Sequence, residues 1–314
     1  ASGKALKITD GTYIVNRSIV FNNKMHVDFS PNAKIIANGT TYAQNAVFVC
    51  SGSIAQIADL SADAVKGASS ITLADTAGLQ AGDLLCIFNP TNSSWSGFRD
   101  NYKAGEFVKV KSVSGNTVNL TKPLFDSYVV ANVNVYKVTP VSVNLNNPQI
   151  ESNGNAFGLI KVTYAGGVIV NNPILTNRNN NCLSINKSVG VTIIAGDTKN
   201  YGTTGDDYGV IFGNSQNVRV FGGEWYARRH GIASGGDAEI CCVPCRDIKY
   251  IGCDISNDID SGTHSADMHG NAEFVEYYKC TIKNGVTMQG ANVSLIDNHI
   301  YGGMDVGSCI YTAE

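Results

Sequence analysis

The C-terminal half of the chain consists of short segments in which apolar and polar residues alternate. From about residue 155 one arrangement recurs: a short strand opened by glycine, a polar turn, a second strand of the form Asn/Asp-Val-x-Val, and a short third piece. Alternation with a period of two is typical of β-strands with one buried face. Successive copies of the first strand lie roughly 18 to 34 residues apart, which is the spacing of solenoid repeats.

The copies predict a β-helix. The first strands are GLIKV (158–162), CLSIN (182–186), GVIFG (209–213), GIASG (231–235), ADMHG (266–270), GVTMQ (285–289) and GMDVG (303–307). The second strands are GVIVN (167–171), GVTII (190–194), NVRVF (217–221), DIKYI (247–251), FVEYY (274–278) and NVSLI (292–296), and third pieces follow as CDIS, CTIK and NHIY. One unit cannot bury its apolar face alone, so stacked rungs must share a core. We therefore expect an all-β, right-handed single-stranded parallel β-helix with three strands per rung, and a long insertion at 241–265.

The segment 54–140 breaks this pattern. Its alternating strands are joined by Gly-Asn and Gly-Asp turns, which indicates a small antiparallel β subdomain. Residues 1–53 read as the first β-helix rungs, so the subdomain is an insertion, and residues 141–314 form the main β-helix that carries the site. Both ends stop in mid-pattern, and we expect the chain to be part of a longer polypeptide.

Composition narrows the function classes. The chain has 314 residues, 33 of them glycine, with 16% charged residues and a net charge of −3. This balance gives no basic surface for nucleic acid, and no apolar stretch is long enough to predict insertion in a membrane. The nine cysteines are odd in number, and the CCxxC group at 241–245 offers three of the four ligands of a structural zinc site. Reduced, structural cysteines and no cofactor are expected, with a calcium ion as an open alternative.

Three stretches resemble a known superfamily. GTYIVNRSIVF followed by DFSPNAKIIANG resembles the opening of pectate-lyase-like β-helix proteins. SSITLADTAGLQAGDLLCI with EFVKVKSVSGNTVNLTKPL is similar to an insertion common in bacteriophage tailspikes, and ARRHGIASGGD with SADMHGNAEFVEYYKCTI resembles tailspikes and pre-neck-appendage proteins. The resemblance implies a virion protein of the phage tail, made in the host cytoplasm, trimeric and attached to other tail proteins. It also implies a partner on the bacterial surface: a capsule, an O-antigen or a teichoic acid.

Charged residues concentrate between 206 and 269, in GDDYGVIFG, EWYARRHGIASGGDAE and NDIDSGTHSADMHGNAE. Three residues align as equivalent inward positions of successive rungs: Val210, Ile232 and Ala266. That alignment places Asp267 and His269 on the outer face of one strand, because side chains alternate between the two faces. It also places Asp207 beside Arg229 on adjacent rungs, about 4.8 Å apart at the backbone.

These positions define a candidate site. The catalytic candidates are Asp207, Asp267, His269 and Arg229, and Asp258 and Asp260 are substitutes for the carboxylates. The candidates for substrate binding are Arg228, Asp206, His264, His230, Asp237 and Glu273. His230 falls at an inward or corner position, where a structural role is an equal alternative. Asp206 and Glu273 are also substitute carboxylates.

The candidates fit several reactions. Two carboxylates, Asp207 and Asp267 first, are the minimum for most glycoside hydrolysis. An imidazole, His269 or His264, is an alternative general base because it titrates near neutrality. An arginine would hold a uronate or a phosphodiester. The superfamily hosts hydrolases, lyases and plain binders, so the resemblance assigns no catalytic residue. We expect a depolymerase that hydrolyses a surface glycopolymer, with a polysaccharide lyase or a non-catalytic receptor-binding spike as alternatives.

Overall fold

Three parallel sheets stack along one axis. The structure, a computed structural model, describes residues 5–39, 42, 45–91, 103–152, 158–202, 205, 207–236, 239–269 and 271–306. In this part of the chain each parallel sheet has nine strands, and each strand pairs only with the equivalent strands of the rungs before and after it. The fold is thus a parallel β-helix with three strands per rung, as the alternation predicts.

The predicted second strands form sheet 1, the predicted third pieces form sheet 2, and the predicted first strands form sheet 3. Sheet 1 contains Leu6–Ile8, Lys24–Phe29, Val141–Asn146, Ala165–Asn171, Val189–Ile194, Gln216–Phe221, Cys245–Ile251, Ala272–Tyr278 and Ala291–Ile296. Sheet 2 contains Gly11–Val15, Ala33–Ala37, Gln149–Ser152, Ile174–Asn177, Asp197–Asn200, Glu224–Ala227, Asp254–Asn257, Thr281–Lys283 and His299–Tyr301. Sheet 3 contains Ile19–Phe21, Phe48–Ser51, Ile160–Thr163, Leu183–Asn186, Tyr208–Gly213, His230–Gly235, Ala266–Met268, Val286–Met288 and Met304–Val306.

The rungs stack in the predicted register. Val210 pairs with Ile232, and Ile232 pairs with Ala266, in the parallel ladder of sheet 3. All three side chains are fully buried and belong to one hydrophobic core that extends from Met25 to Val286. The core is continuous because every rung contributes inward residues that pack on those of the next rung, as in other solenoids.

The predicted inserted subdomain is an antiparallel sheet with a core of its own. In sheet order, its six strands are Ser53–Gln56, Asn134–Thr139, Leu84–Phe88, Gly105–Ser114, Thr117–Leu120 and Ser70–Thr72. A short 3-10 turn, Val130–Asn132, directly precedes the strand Asn134–Thr139. Leu73, Leu85 and Val118 are among the fully buried side chains of its separate apolar core. None of the described residues forms a helix long and apolar enough to cross a membrane.

The expected insertion at 241–265 contains two predicted strands of a regular rung. DIKYI lies in Cys245–Ile251 of sheet 1, and the third piece CDIS overlaps Asp254–Asn257 of sheet 2. A 3-10 turn, Ile259–Ser261, follows, and Asp258 caps it by accepting a hydrogen bond from the main-chain N–H of Asp260 at 3.1 Å.

The cysteines of the described part are buried and free of disulfides. They are Cys50, Cys86, Cys182, Cys241, Cys242, Cys245, Cys253 and Cys280. Cys253 and Cys280 precede strands that pair with each other in sheet 2, so their side chains stack on adjacent rungs inside the core. Among the described residues, no group of three His, Cys, Asp or Glu side chains is placed to hold a metal ion.

Arg246 joins the inserted subdomain to the β-helix. Its Nε donates to Oε1 of Glu273 at 2.7 Å, and its terminal Nη2 donates to Oδ2 of Asp126 in the subdomain at 2.8 Å. The guanidinium carbon lies 3.8 Å from the centre of the Phe125 ring, which meets Phe274 edge-on at 5.5 Å. Arg246 is only 7% exposed, so its charge is neutralised inside this domain junction rather than by solvent.

Candidate functional site

Asp267 and His269 lie within hydrogen-bonding distance of each other on the outer face of sheet 3. Asp267 pairs with Ala233 of the preceding rung and alternates with the core residues Ala266 and Met268. Nε2 of His269 lies 2.9 Å from Oδ2 of Asp267. Strand geometry explains this pair, because residues two apart on one strand face the same side.

Asp267 differs from the expectation in one respect: it is buried rather than facing solvent. Its exposed fraction is 4%, because the rings of His269 and His230 close over it. Burial alone would raise the pKa of Asp267. The hydrogen bond with His269 and the charges of His269, His230 and Arg229 outweigh burial and lower that pKa, so the carboxylate stays ionised.

His230 opens its strand of sheet 3 at the corner of the rung, with its ring beside Asp267. Its Nδ1 is 2.6 Å from the carbonyl oxygen of His264, and a carbonyl only accepts, so Nδ1 carries the hydrogen. Its Nε2 lies 3.8 Å from Oδ2 of Asp267, and its ring stacks on Tyr208 of the preceding rung at 5.5 Å. At the next residue, Gly231, a Cβ would collide with main-chain oxygens of neighbouring strands, so the backbones pack closely here.

Replacing His230 with glutamine is expected to make the free energy of unfolding less sensitive to acid. Burial lowers the pKa of His230, and the opposing effects of Asp267 and the His264 carbonyl are smaller. The unfolded chain therefore takes up a proton near the ordinary histidine pKa, about 6.5, while the folded protein does not. Stability falls as the pH drops through this range, because the unfolded state binds more protons.

Urea unfolding of wild type and His230→Gln at neutral and mildly acidic pH measures this effect. His299→Gln, at an exposed position on sheet 2, is the matched control and should behave like wild type. An equal loss of stability in all three proteins on acidification would contradict the prediction.

Asp207 lies beside Arg229 as expected, but its carboxylate is engaged by the main chain. The backbone N–H of Arg229 donates to the carbonyl oxygen of Asp207 at 3.2 Å, which places the two residues on adjacent rungs. Oδ1 of Asp207 accepts from the N–H of Asn180 at 3.1 Å, and Oδ2 accepts from the N–H of Gly205 at 3.2 Å. With 1% of its surface exposed, Asp207 holds two turns together through these hydrogen bonds.

The two arginines of the triplet are half-buried at the same edge. Arg229 donates to the carbonyl oxygen of Gly205 at 2.7 Å and lies over the ring of Tyr208, 5.6 Å from its centre. Arg228 lies 3.4 Å from the carbonyl oxygen of Gly202. Both guanidinium groups also line one cavity at this edge, where they contribute positive charge to its wall.

Two adjoining cavities form one groove along this edge, here called the site groove. The first has a volume of about 280 Å³ and is lined by Arg229, His230, His264, Asp267 and His269, among others. The second has a volume of about 440 Å³, and its walls include Asp207, Arg228, Arg229 and Asp260. Arg229 and Thr263 line both cavities. The groove thus crosses five successive rungs and presents both signs of charge.

The other residues predicted to bind substrate lie in different places. His264 lines the site groove, with Nδ1 2.9 Å from the hydroxyl of Thr287. Glu273 is 5% exposed and forms an ion pair with Arg246 at the domain junction, and it does not line either cavity of the site groove. Asp206 and Asp237 lie outside the described residues.

Sequence reasoning missed the asparagine that supports the site. The amide nitrogen of Asn257 donates to the carbonyl oxygens of Arg229 at 2.7 Å and Thr263 at 2.9 Å. The hydroxyl of Thr263 donates to the same Arg229 carbonyl at 2.8 Å. A signal existed, because sheet 2 strands repeatedly end in asparagine, as at Asn177 and Asn200, and these amides are buried. The groove also includes Gln289 and Asp305, which the alignment did not single out.

Gly235 forms the floor beneath His269. A Cβ at this glycine would lie 2.7 Å from Cδ2 of the imidazole and 2.9 Å from Cβ of His269. Only a residue without a side chain lets the ring lie across the neighbouring strand and reach Asp267. The backbone therefore fixes the orientation of the pair.

Comparison with known proteins places both parts of the chain among phage tailspikes. The family described as Gp49, pectin lyase-like, matches residues 177–314, and the family described as tailspike protein-like, Ig-like domain, matches residues 49–138. No curated protein sequence matches the chain.

Three solved tailspikes share the fold. The tailspike gp49 of Pseudomonas phage LKA1 has 37% sequence identity and a TM-score of 0.88, over 95% of this chain and 50% of that chain. The Gp54 tailspike of Acinetobacter baumannii bacteriophage AP22, in complex with A. baumannii capsular saccharide, has 29% identity and a TM-score of 0.79, over 95% and 53%. The tailspike gp61 of Pseudomonas phage phi297 has 31% identity and a TM-score of 0.79, over 93% and 49%.

The chain spans about half the length of these tailspikes. Within this shared length, the chain combines an inserted Ig-like domain of the tailspike type with a pectin-lyase-like β-helix. The resemblance to bacteriophage tailspikes of the pectate-lyase-like superfamily is therefore confirmed for the part of the protein that this chain spans.

Proposed function

We propose that the chain is the β-helix of a phage tailspike that binds an anionic bacterial surface polysaccharide in the site groove and cleaves it. The observation that carries the proposal is the Asp267–His269 pair, 2.9 Å apart, in a cavity that Arg229 also lines. The relative from phage AP22, solved with a capsular saccharide, supports the substrate class. Capsules, O-antigens and teichoic acids are all candidates.

His269 is the proposed general base. Its Nε2 faces Asp267, so proton exchange with a ligand would use Nδ1. An ionised Asp267 fixes the orientation of the imidazole and stabilises its protonated form, as carboxylates do in other Asp–His pairs. Burial of Asp267 strengthens this interaction, because the local dielectric constant is low. Arg229 would hold a uronate or phosphate group of the substrate beside the imidazole.

Hydrolysis is the reaction we expect. His269 would take a proton from an attacking water, and an acid in the groove, such as Asp260 or Asp305, would protonate the leaving oxygen. The pair first expected for glycoside hydrolysis, Asp207 with Asp267, is less suitable because main-chain N–H groups occupy both oxygens of Asp207. The imidazole replaces the second carboxylate in this proposal.

Elimination is the second candidate, and the position of Arg229 favours it. A lyase removes the proton next to a uronate carboxylate, and a nearby cation stabilises the negative charge that develops there. In that case His269 would take this proton, the C–O bond to the leaving sugar would break, and the leaving oxygen would take up a proton from water or from an acid in the groove. A carbon–carbon double bond would remain at the new end.

Product analysis tests the proposal. The full chain would be incubated with a panel of purified capsules, O-antigens and teichoic acids, and the products would be weighed by mass spectrometry. Hydrolysis adds one water per cleaved bond, whereas elimination adds none and creates an unsaturated end that absorbs ultraviolet light. Binding of a polymer without the release of shorter products would overturn the proposed catalytic activity and favour a non-catalytic receptor-binding spike. Trimer formation and attachment to other tail proteins stay predictions.

A further inference from the structure

A second polar cavity lies on the outer face of sheet 3, outside the site groove and nearer the N-terminal rungs. Its volume is about 200 Å³. The lining residues that matter here are Asn45, Lys161, Asn180, Asn181, Ser184 and Asn186. We call this cavity the amide pocket, because four of these six residues are asparagines.

The amide pocket suits uncharged polar groups. Side-chain amides offer both N–H donors and carbonyl acceptors, which is the combination that sugar hydroxyl and acetamido groups require. The hydroxyl of Ser184 accepts a hydrogen bond from Asn186 at 2.7 Å and keeps its own hydrogen as a donor. Among the described lining residues only Lys161 carries a charge, in contrast to the site groove with its arginines and aspartates.

One acceptor of the amide pocket lacks a partner in the described part of the chain. Oδ1 of Asn181 is enclosed, and no hydrogen bond to it is formed there. Enclosed polar atoms in folded proteins nearly always have a partner, so an isolated acceptor in a pocket wall indicates a ligand or an ordered water. Rotation of the Asn181 amide toward the amide pocket would let Oδ1 accept a hydrogen bond from a sugar hydroxyl.

The amide pocket and the site groove are physically continuous. The main-chain N–H of Asn180 in the pocket wall donates to Oδ1 of Asp207 in the groove wall at 3.1 Å. Along sheet 3, Ser184 pairs with Ile211, which pairs with Ala233, which pairs with Asp267. Three strand spacings separate the pocket from the Asp267–His269 pair, about 14 Å at about 4.8 Å per strand.

We infer that the amide pocket is a distal subsite for an uncharged sugar of the same polymer chain whose anionic residue binds in the site groove. The inference rests on the proposed function and adds a feature of the substrate: a repeating unit with a neutral, hydroxyl- or acetamido-bearing sugar about three strand spacings from the anionic one. Asp207 is then a positioning residue, because it ties the wall of the pocket to the wall of the groove.

Chain-length dependence tests the inference. Size-fractionated fragments of a panel polysaccharide that wild type binds are titrated against wild type, Asn181→Ala and Ser184→Ala, using the full chain. Loss of one neutral hydrogen bond should weaken the binding of long fragments about 3- to 10-fold. The shortest bound fragments, which reach only the site groove, should bind all three proteins equally.

Asn144→Ala is the matched control. Asn144 is a half-buried asparagine on the outer face of sheet 1, and its Oδ1 likewise lacks a partner among the described residues. This variant should bind fragments of every length like wild type. Equal affinity of all variants for long fragments, or an equal loss at every length, would overturn the subsite and leave the proposed function intact. A wild-type chain that binds no polymer of the panel would overturn both.

Discussion

Replacing His269 with glutamine is expected to slow polymer cleavage by about 10²- to 10⁴-fold, the usual contribution of a general base. The glutamine amide can still donate to Asp267, but it cannot take up a proton. The strand should fold normally, because the imidazole is partly exposed and lies outside the core. Turnover is measured from the release of new chain ends, and binding of intact polymer is measured separately.

The separation of binding from turnover makes this test specific. Polymer binding should change little in His269→Gln, because the arginines of the site groove are untouched. His299→Gln, on an exposed strand of sheet 2, is the matched control and should retain full turnover. Undiminished cleavage by His269→Gln would remove the imidazole from the mechanism and return attention to the carboxylates of the groove, Asp260 and Asp305.

The largest loss of stability is expected from Arg246→Ala, about 3 to 5 kcal/mol. The substitution leaves Glu273 and Asp126 at the domain junction without their shared cation. A third carboxylate, Glu106, lies nearby, 5% exposed, and accepts a hydrogen bond from the Tyr128 hydroxyl at 2.9 Å. Removing one partner of a buried ion pair is costly because the remaining charges keep their desolvation penalty.

Lys249→Ala is the matched control on the same strand. Lys249 pairs with Glu276 at 3.0 Å, but both side chains are substantially exposed, so we expect a loss below about 1 kcal/mol. Urea denaturation followed by intrinsic fluorescence measures both variants. Equal losses in the two variants would contradict the view that the junction depends on burial.

The Arg246 effect should also depend on pH. Burial raises the pKa of both Glu106 and Asp126 above their ordinary values. As pH falls, these carboxyls take up protons in the folded protein before they do so in the unfolded chain, and this uptake favours the folded state. The charge of Arg246 lowers both pKa values, so its removal raises them further, and the variant gains more from this uptake than wild type does. The penalty of Arg246→Ala should therefore shrink in mild acid. A penalty that is constant with pH would mean that unpaired carboxylates are not its cause.

Local periodicity was sufficient to predict the rungs and their register. The alternation in GVIFG, GIASG and ADMHG places every second residue in the core, and parallel stacking then fixes which residues are neighbours. This register predicted that Asp207 and Arg229 lie beside each other on adjacent rungs. It also predicted that Asp267 and His269 share one outer face. Each of these predictions needed only side-chain alternation and strand pairing.

The exposure of the site residues was not predictable in the same way. Asp267 is buried because the ring of His230 reaches it across a corner, where alternation no longer applies. Asp207 is captured by main-chain N–H groups of two turns, whose conformation is not encoded by hydrophobic periodicity. Glu273 is enclosed because a domain more than a hundred residues earlier in the chain supplies Asp126 beside Arg246.

The way the Ig-like domain enters and leaves the β-helix makes it an exchangeable unit. Ser53 and Thr139 pair at its base, so entry and exit are neighbours, and the flanking rungs run on from Phe48–Ser51 to Val141–Asn146. A gene segment for 52–140 can therefore be replaced by recombination without a change in the path of the rungs. An incoming segment must still cover what this domain covers: Arg246, which needs an anion and an aromatic ring beside it, and the apolar side chains of Cys241, Cys242 and Val243.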